Sequence, residues 1–251
     1  MEEPRLLLRY VSADCVFMSL RCIIERRYLN MNEWLNLMLK QAAGWAYLGV
    51  YLACGVLMVR WLLPRHRPLN RVWLGLSFGL LLLMWLPALC AFVLDFTMAA
   101  HLCALIPLAL ATAGCYFARD KRPLRAWDAE EKRQWRQAVL VLAPLMVYSA
   151  YIQWTHVVRI DEYGAWNVGQ STYGDLPMHL SFVTGLKNAA FPPEYPFYPG
   201  VQLSYPFLAD SLSTTFYLIG WPLQLAVVIP SCLMMGLCYL GVLQEQKTPL
   251  I

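Results

Sequence analysis

Charge is scarce in this chain: Asp, Glu, Lys and Arg make up 14% of 251 residues, while 59% are hydrophobic. A soluble domain cannot place that much apolar surface in one core, so lipid is the solvent for most of the chain. The mean hydropathy of +0.46 points the same way. Also missing is any CxxC pair among the eight cysteines, six of which lie inside apolar runs. That argues against a zinc or disulfide framework and for buried thiols. No short apolar run leads to a small-residue cleavage site, so no cleavable signal peptide is expected. The net charge of +4 does not point to nucleic acid. Its basic residues fall in short segments between apolar runs, where orientation signals belong.

What is present is a series of apolar stretches. A spanning helix needs about 20 mostly apolar residues to cross roughly 30 Å of hydrocarbon. Ala42 to Leu63, Val72 to Leu94, Phe96 to Ala118 and Ala138 to Trp154 meet that need. Pro87, Pro107 and Pro144 inside them predict kinks rather than breaks, because neighbouring helices can satisfy the freed carbonyls. Pro206 to Ile219 is read as a fifth, short span, and Leu223 to Leu243 as a sixth, separated by Gly220-Trp221-Pro222. Glycine then proline is a stop followed by a new start, although one long kinked helix is the alternative. The expected fold is an all-α polytopic membrane bundle of about six transmembrane helices. Residues 1–41 form a tail, 42–137 three spans, and 138–251 a span, a long loop over 158–205 and two further helical segments.

Positive charge is retained on cytoplasmic loops. Arg60, Arg65, Arg67 and Arg71 flank the first connection, and Arg119, Lys121, Arg122, Arg125, Lys132, Arg133 and Arg136 fill the third, so both are assigned to the cytoplasm. The connection at Asp95 holds no basic residue, and the segment from Val158 to Ser204 holds only Arg159 and Lys187. Both are assigned outside, in a multi-pass protein of the plasma membrane. Alternation then places the amino terminus outside, which conflicts with Arg5, Arg9, Arg21, Arg26 and Arg27. A start at Met31 removes the conflict; a basic amphipathic tail on the inner face is the alternative.

The outer loop is polar and aromatic, and a loop this long is usually functional. Asp175 followed by Pro177 reads as a helix start, with Leu176, Leu180, Val183 and Leu186 able to lay a short amphipathic helix on the membrane surface. Asp175 and His179, four apart, share a face. After the helix comes Phe191-Pro-Pro-Glu-Tyr-Pro-Phe-Tyr-Pro-Gly200, then Tyr205-Pro-Phe-Leu-Ala-Asp210, Gly220 and Pro230-Ser231-Cys232-Leu233.

A span, an outer loop whose acidic residue opens a short helix, a Pro-aromatic run, a helix ending at glycine and a Pro-Ser-small-Leu segment together resemble the amino-terminal portion of GT-C membrane glycosyltransferases. The resemblance covers about Val139 to Leu243 and implies transfer of a sugar from a polyprenyl-phosphate donor at the outer face. In that superfamily the acid or base is an Asp or Glu of the first long outer loop, and Asp175 is the matching position. The residue before the Pro-Ser segment, often basic in the family, is Val228-Ile229 here. Such enzymes carry further spans, so the end at Ile251 is read as a truncation, giving an inactive fragment or a chain completed by a second one. The rival classes are a transporter subunit, for which no inverted repeat is visible, and a noncatalytic membrane partner protein.

For this chemistry the acceptor hydroxyl must lose a proton as the anomeric carbon is attacked, and a carboxylate can take it. Asp175 is the candidate base, or simply a helix cap, and His179 its orienting partner or a contact to the donor phosphate. Arg159 and Lys187 are the loop cations able to neutralise that phosphate. Asp210 lies inside an apolar helix, where a charge costs about 2.5 to 3.5 kcal/mol to insert, so a polar cavity or a bond to Ser211 or Ser213 is expected around it. Tyr198 and Tyr205, with Tyr195 and Phe197, are candidates to stack on sugar or isoprenoid, or form an interfacial belt. Asp161 and Glu162 are the candidate ligands for a divalent metal ion. His101 is expected to donate a hydrogen bond between helices.

Overall fold

Five stretches of the chain form helices long and apolar enough to cross a membrane. The computed structural model describes residues 31–161, 163–169 and 174–245. Helix α1 (Met31–Leu62) is followed by α2 (Pro68–Leu94), then by α3 (Met98–Cys103) and α4 (Leu105–Phe117), which together make the third span. Helix α5 (Ala129–Ile152) runs into a π-helical turn at Gln153–Val157. A hairpin, β1 (Val158–Ile160) with β2 (Trp166–Val168), opens the long loop. Helix α6 (Leu176–Gly185) and a second hairpin, β3 (Glu194–Tyr195) with β4 (Tyr198–Gln202), continue it. Helices α7 (Leu208–Ile219) and α8 (Leu223–Glu245) complete the described chain.

Two boundaries differ from the sequence expectation. The chain is already helical at Met31, so residues 31–41 belong to α1 and not to a tail; the start-site expectation itself concerns residues 1–30, which lie outside the described residues. Helix α5 starts at Ala129, well before Ala138, because Asp128 and Glu131 form a reciprocal capping box: Glu131 N–H donates to Asp128 Oδ1 at 2.7 Å, and Asp128 N–H to Glu131 Oε2 at 3.2 Å. The third span, Met98–Phe117, is distorted at Ala104 but not broken, as expected: Ala104 keeps φ −61° and ψ −20°, and its N–H bonds to Ala100. Pro107 has no N–H to give to Cys103 and its ring crowds that carbonyl.

The largest difference concerns α7, expected as a span. Its 12 residues reach about 18 Å at 1.5 Å per residue, well short of roughly 30 Å of hydrocarbon. Phe207, just before it, packs edge-on against Phe191 of the loop at 5.8 Å. Just beyond its other end, Trp221 Nε1 donates to the carbonyl of Gln41 in the first turns of α1. The helix stops because Gly220 adopts φ +112°, where its N–H reaches Phe216 and Tyr217 and the N–H of Trp221 reaches Phe216. Pro222 then precedes α8, so α7 and α8 are separate helices.

The connections gather at two ends. Arg71 donates to the carbonyls of Pro64 and Arg125, and Asp120 N–H to Trp61 at 3.0 Å, which joins the α1–α2 and α4–α5 connections into one basic end. At the other end, Phe96 N–H donates to Ala189 at 2.9 Å, Asn188 N–H to Phe96 at 3.1 Å, and Phe191 N–H to Asp95 Oδ1. That joins the α2–α3 connection to the long loop. In a cysteine-free background, Tyr163→Cys is therefore expected to react with an impermeant maleimide applied outside the cell and Lys121→Cys only after permeabilisation. The reverse pattern overturns the orientation.

Helices α1 and α2 meet through glycine. A Cβ at Gly75 would lie 2.6 Å from Val56 Cα, and one at Gly79 would lie 2.5 Å from the Tyr51 carbonyl oxygen. The backbones are in contact, which only a missing side chain permits. Around this seam Leu48, Tyr51, Leu80 and Leu83 pack with Leu212, Phe216 and Trp221, fixing α7 against the bundle.

Candidate functional site

Helix α7 carries an unusual run of buried polar residues: Asp210, Ser211, Ser213, Thr214 and Thr215 are all under 9% exposed. Buried polar groups need partners, and each threonine has one that ties α7 to another helix. Thr214 Oγ1 lies 3.0 Å from the Val183 carbonyl of α6, and Thr215 Oγ1 2.9 Å from His101 Nε2 of α3. His101 Nδ1 is 2.7 Å from the Thr97 carbonyl. A carbonyl only accepts, so Nδ1 carries a hydrogen; Thr215 Oγ1 also donates to the Ser211 carbonyl at 2.9 Å. The expected helix-to-helix hydrogen bond of His101 is present, between Nε2 and Thr215 of α7.

Asp210 is 7% exposed and meets His179, whose Nδ1 lies 3.0 Å and 3.1 Å from the two carboxylate oxygens. Its partner is that imidazole and neither Ser211 nor Ser213; Ser211 Oγ turns back to the Leu208 carbonyl. Burial pushes the Asp210 carboxyl above the usual carboxylate range, and the His179 hydrogen bond opposes that rise. With Asp210 ionised, the shared hydrogen sits on Nδ1 and leaves the lone pair on Nε2. The imidazole is braced by Tyr205, edge-on at 5.6 Å, and by Phe182 at 6.1 Å. Phe182 in turn contacts Tyr195 and Phe197, so the Pro-aromatic run forms one aromatic cluster behind the histidine.

Beside this pair is a cavity of about 150 Å³ between α6, α7 and α8. His179, Asp210, Ser213 and Ser231 give it polar points, and Leu176, Leu180, Val183, Val227 and Met234 give it apolar walls. Ser231 comes from the Pro230-Ser231 segment of α8, which the sequence marked without assigning it a role.

Asp175 stands elsewhere. It is exposed, and its side chain makes no capping hydrogen bond to α6. A capping residue needs extended backbone, whereas Asp175 has φ −92° and ψ −38°, and the N–H a cap would reach at the second helical position is absent because Pro177 is there. The anticipated Asp175–His179 pairing is replaced by Asp210–His179. Lys187 Nζ lies 4.2 Å from the Tyr217 ring centroid, an anchoring contact between the end of α6 and α7. Arg159 is exposed on β1, and neither cation lines the cavity. Tyr198 is exposed on β4, edge-on to Phe197 at 5.4 Å.

Asp161 holds its own hairpin together. Oδ1 accepts from the N–H groups of Tyr163 and Ala165, and Oδ2 from Asn167 Nδ2. These bonds hold the carboxyl below its usual range. Glu162 lies outside the described residues, and among the described residues no three His, Cys, Asp or Glu side chains gather as a metal site would require. Comparison with known proteins gives no match: no family model, no curated protein and no solved structure corresponds to this chain.

Proposed function

We propose that this chain is a membrane transferase of the GT-C kind, moving a sugar from a polyprenyl-phosphate donor to an acceptor hydroxyl at the long-loop end, with His179 as general base. The observation that carries the reading is the His179–Asp210 pair on the wall of a cavity whose other walls are mostly apolar. Apolar walls suit an isoprenoid chain, and His179, Asp210, Ser213 and Ser231 offer polar groups to a sugar.

In the proposed step an acceptor oxygen attacks the anomeric carbon, and the bond from that carbon to the phosphate oxygen breaks. The hydroxyl proton passes to His179 Nε2, and polyprenyl phosphate leaves with the electron pair. Asp210 stabilises the imidazolium that forms and fixes the ring, the role a buried carboxylate plays behind a catalytic histidine. This reading moves the base from Asp175, which is exposed and does not line the cavity, to His179, which does. Catalysis by proton transfer of this kind contributes roughly 10²- to 10⁴-fold.

Purified protein in proteoliposomes, offered isotope-labelled hexoses on polyprenyl phosphate or on soluble nucleotides, tests the donor class. Label is expected to move from the lipid-linked donors alone. Transfer from the nucleotide sugars alone, or from neither class, defeats the proposal.

A further inference from the structure

Helix α7 carries hydroxyls on Ser211, Ser213, Thr214 and Thr215, and all of these residues are under 9% exposed. All but one donate to a carbonyl of the preceding turn. Ser211 Oγ reaches Leu208 at 2.8 Å, Thr214 Oγ1 reaches Asp210 at 2.9 Å, and Thr215 Oγ1 reaches Ser211 at 2.9 Å. Turning back in this way is a common course for such side chains inside a helix. Ser213 departs from it: only 7% exposed, its hydroxyl has no hydrogen-bond partner among the described residues. Its oxygen is nonetheless not sealed off, because it borders the cavity between α6, α7 and α8. We infer that Ser213 sets the sugar specificity of that cavity by donating its hydrogen to one hydroxyl of the transferred sugar, an inference that rests on the transfer reading above.

The rest of the lining leaves this role to Ser213. Both Asp210 oxygens face His179 Nδ1, and Ser231 Oγ gives its hydrogen to the Val227 carbonyl at 2.8 Å. With Asp210 ionised, His179 Nε2 presents a lone pair, so it accepts as Ser231 does. The remaining walls are apolar. Ser213 is therefore the lining side chain with an O–H still to give. Buried polar groups without a partner are uncommon, and one on a cavity wall points to a ligand atom that completes it.

The same lining selects the kind of atom. It contains no lysine or arginine, so nothing in it offsets a phosphate charge, and a neutral oxygen is the better match. A sugar hydroxyl can accept from Ser213 while giving its own hydrogen to another acceptor. Asp210 and Ser213 stand three residues apart on α7 and share a face, which sets this contact beside the His179–Asp210 pair. A sugar lacking that hydroxyl leaves the Ser213 donor unpaired in a buried site. One neutral hydrogen bond then discriminates by roughly three- to ten-fold.

The test measures kcat/KM in proteoliposomes for the lipid-linked hexose that wild type transfers and for its monodeoxy analogues. Wild type should lose roughly three- to ten-fold at one ring position. Ser213→Ala should show a similar loss with the parent hexose and no further loss with that analogue, while the other analogues affect both proteins equally. Ser211→Ala, which removes a hydroxyl turned to the Leu208 carbonyl, should respond to every analogue as wild type does, and so separates the contact from a general loosening of α7. Ser213→Cys, with only a weak S–H donor, should behave as Ser213→Ala does and serves if the alanine variant fails to fold. If wild type transfers the hexose and His179→Gln does not, yet Ser213→Ala and Ser213→Cys keep the wild-type response to every analogue, this inference alone is overturned. A wild type indifferent to every deoxygenation overturns it as well. If wild type transfers no lipid-linked hexose, the transfer reading fails and the inference with it.

Discussion

Replacing His179 with glutamine is expected to lower sugar transfer by roughly 10²- to 10⁴-fold while leaving membrane insertion and expression nearly unchanged. Glutamine keeps a polar side chain in reach of Asp210 but has no basic nitrogen, so it can support the α6–α7 contact without accepting a proton. Asp175→Asn supplies the contrast. Asp175 is exposed and caps nothing, so its neutralisation should change turnover by only a few-fold if His179 is the base. A large loss at Asp175 with little at His179 would return the catalytic role to the position the family resemblance suggested. Both variants are to be compared by initial rates in proteoliposomes, normalised to folded protein.

Gly79→Leu is expected to be the most damaging single change to the fold. The space beside Gly79 is filled by backbone: the Tyr51 carbonyl oxygen would be 2.5 Å from an added Cβ and Leu52 Cα 2.9 Å from it. Backbone cannot rotate aside as a side chain can, so α1 and α2 must separate, and the contacts of Tyr51 and Leu83 loosen with them. Overpacking of this kind costs about 1 to 3 kcal/mol, occasionally more. Gly49, on the same helix as Tyr51, has open space around its Cβ position, and Gly49→Leu is the matched control. Denaturation in mixed micelles should show a lower midpoint for Gly79→Leu and little change for Gly49→Leu. Equal midpoints would mean that the glycine seam does not hold the two helices together.

The spanning helices were legible because hydrophobic length is a strong signal and lipid leaves few alternatives to a helix. The stop at Gly220 was equally plain, since a glycine followed by a proline two residues on admits few backbone continuations. What composition could not show is that α7 lies at one end of the bundle. Its apolar residues suit a protein core as well as lipid, and only its length and the row Asp210, Ser211, Ser213, Thr214, Thr215 distinguish the two. Five buried polar side chains in a 12-residue helix were the available sign that its surroundings are protein rather than lipid.

The site was half legible. His179 and Asp210 were each visible as polar residues in apolar surroundings, but a separation of 31 residues gives no hint that they pair. Asp175 drew attention because four-residue spacing predicts a shared helical face, and sequence-local rules always favour such neighbours. The glycine seam had a readable sign in Gly75 and Gly79, a small-xxx-small pattern within an apolar helix. The capping box at Asp128 and Glu131 was readable too, and would have placed the start of α5 correctly.

A double-mutant cycle on the transfer reaction tests the central claim most directly. Rates are to be measured for wild type, His179→Gln, Asp210→Asn and the double variant with one lipid-linked donor. If the pair acts as a unit, with Asp210 working only through His179, the double variant should be about as slow as His179→Gln alone. Losses that multiply independently, or an unimpaired His179→Gln, would contradict the account.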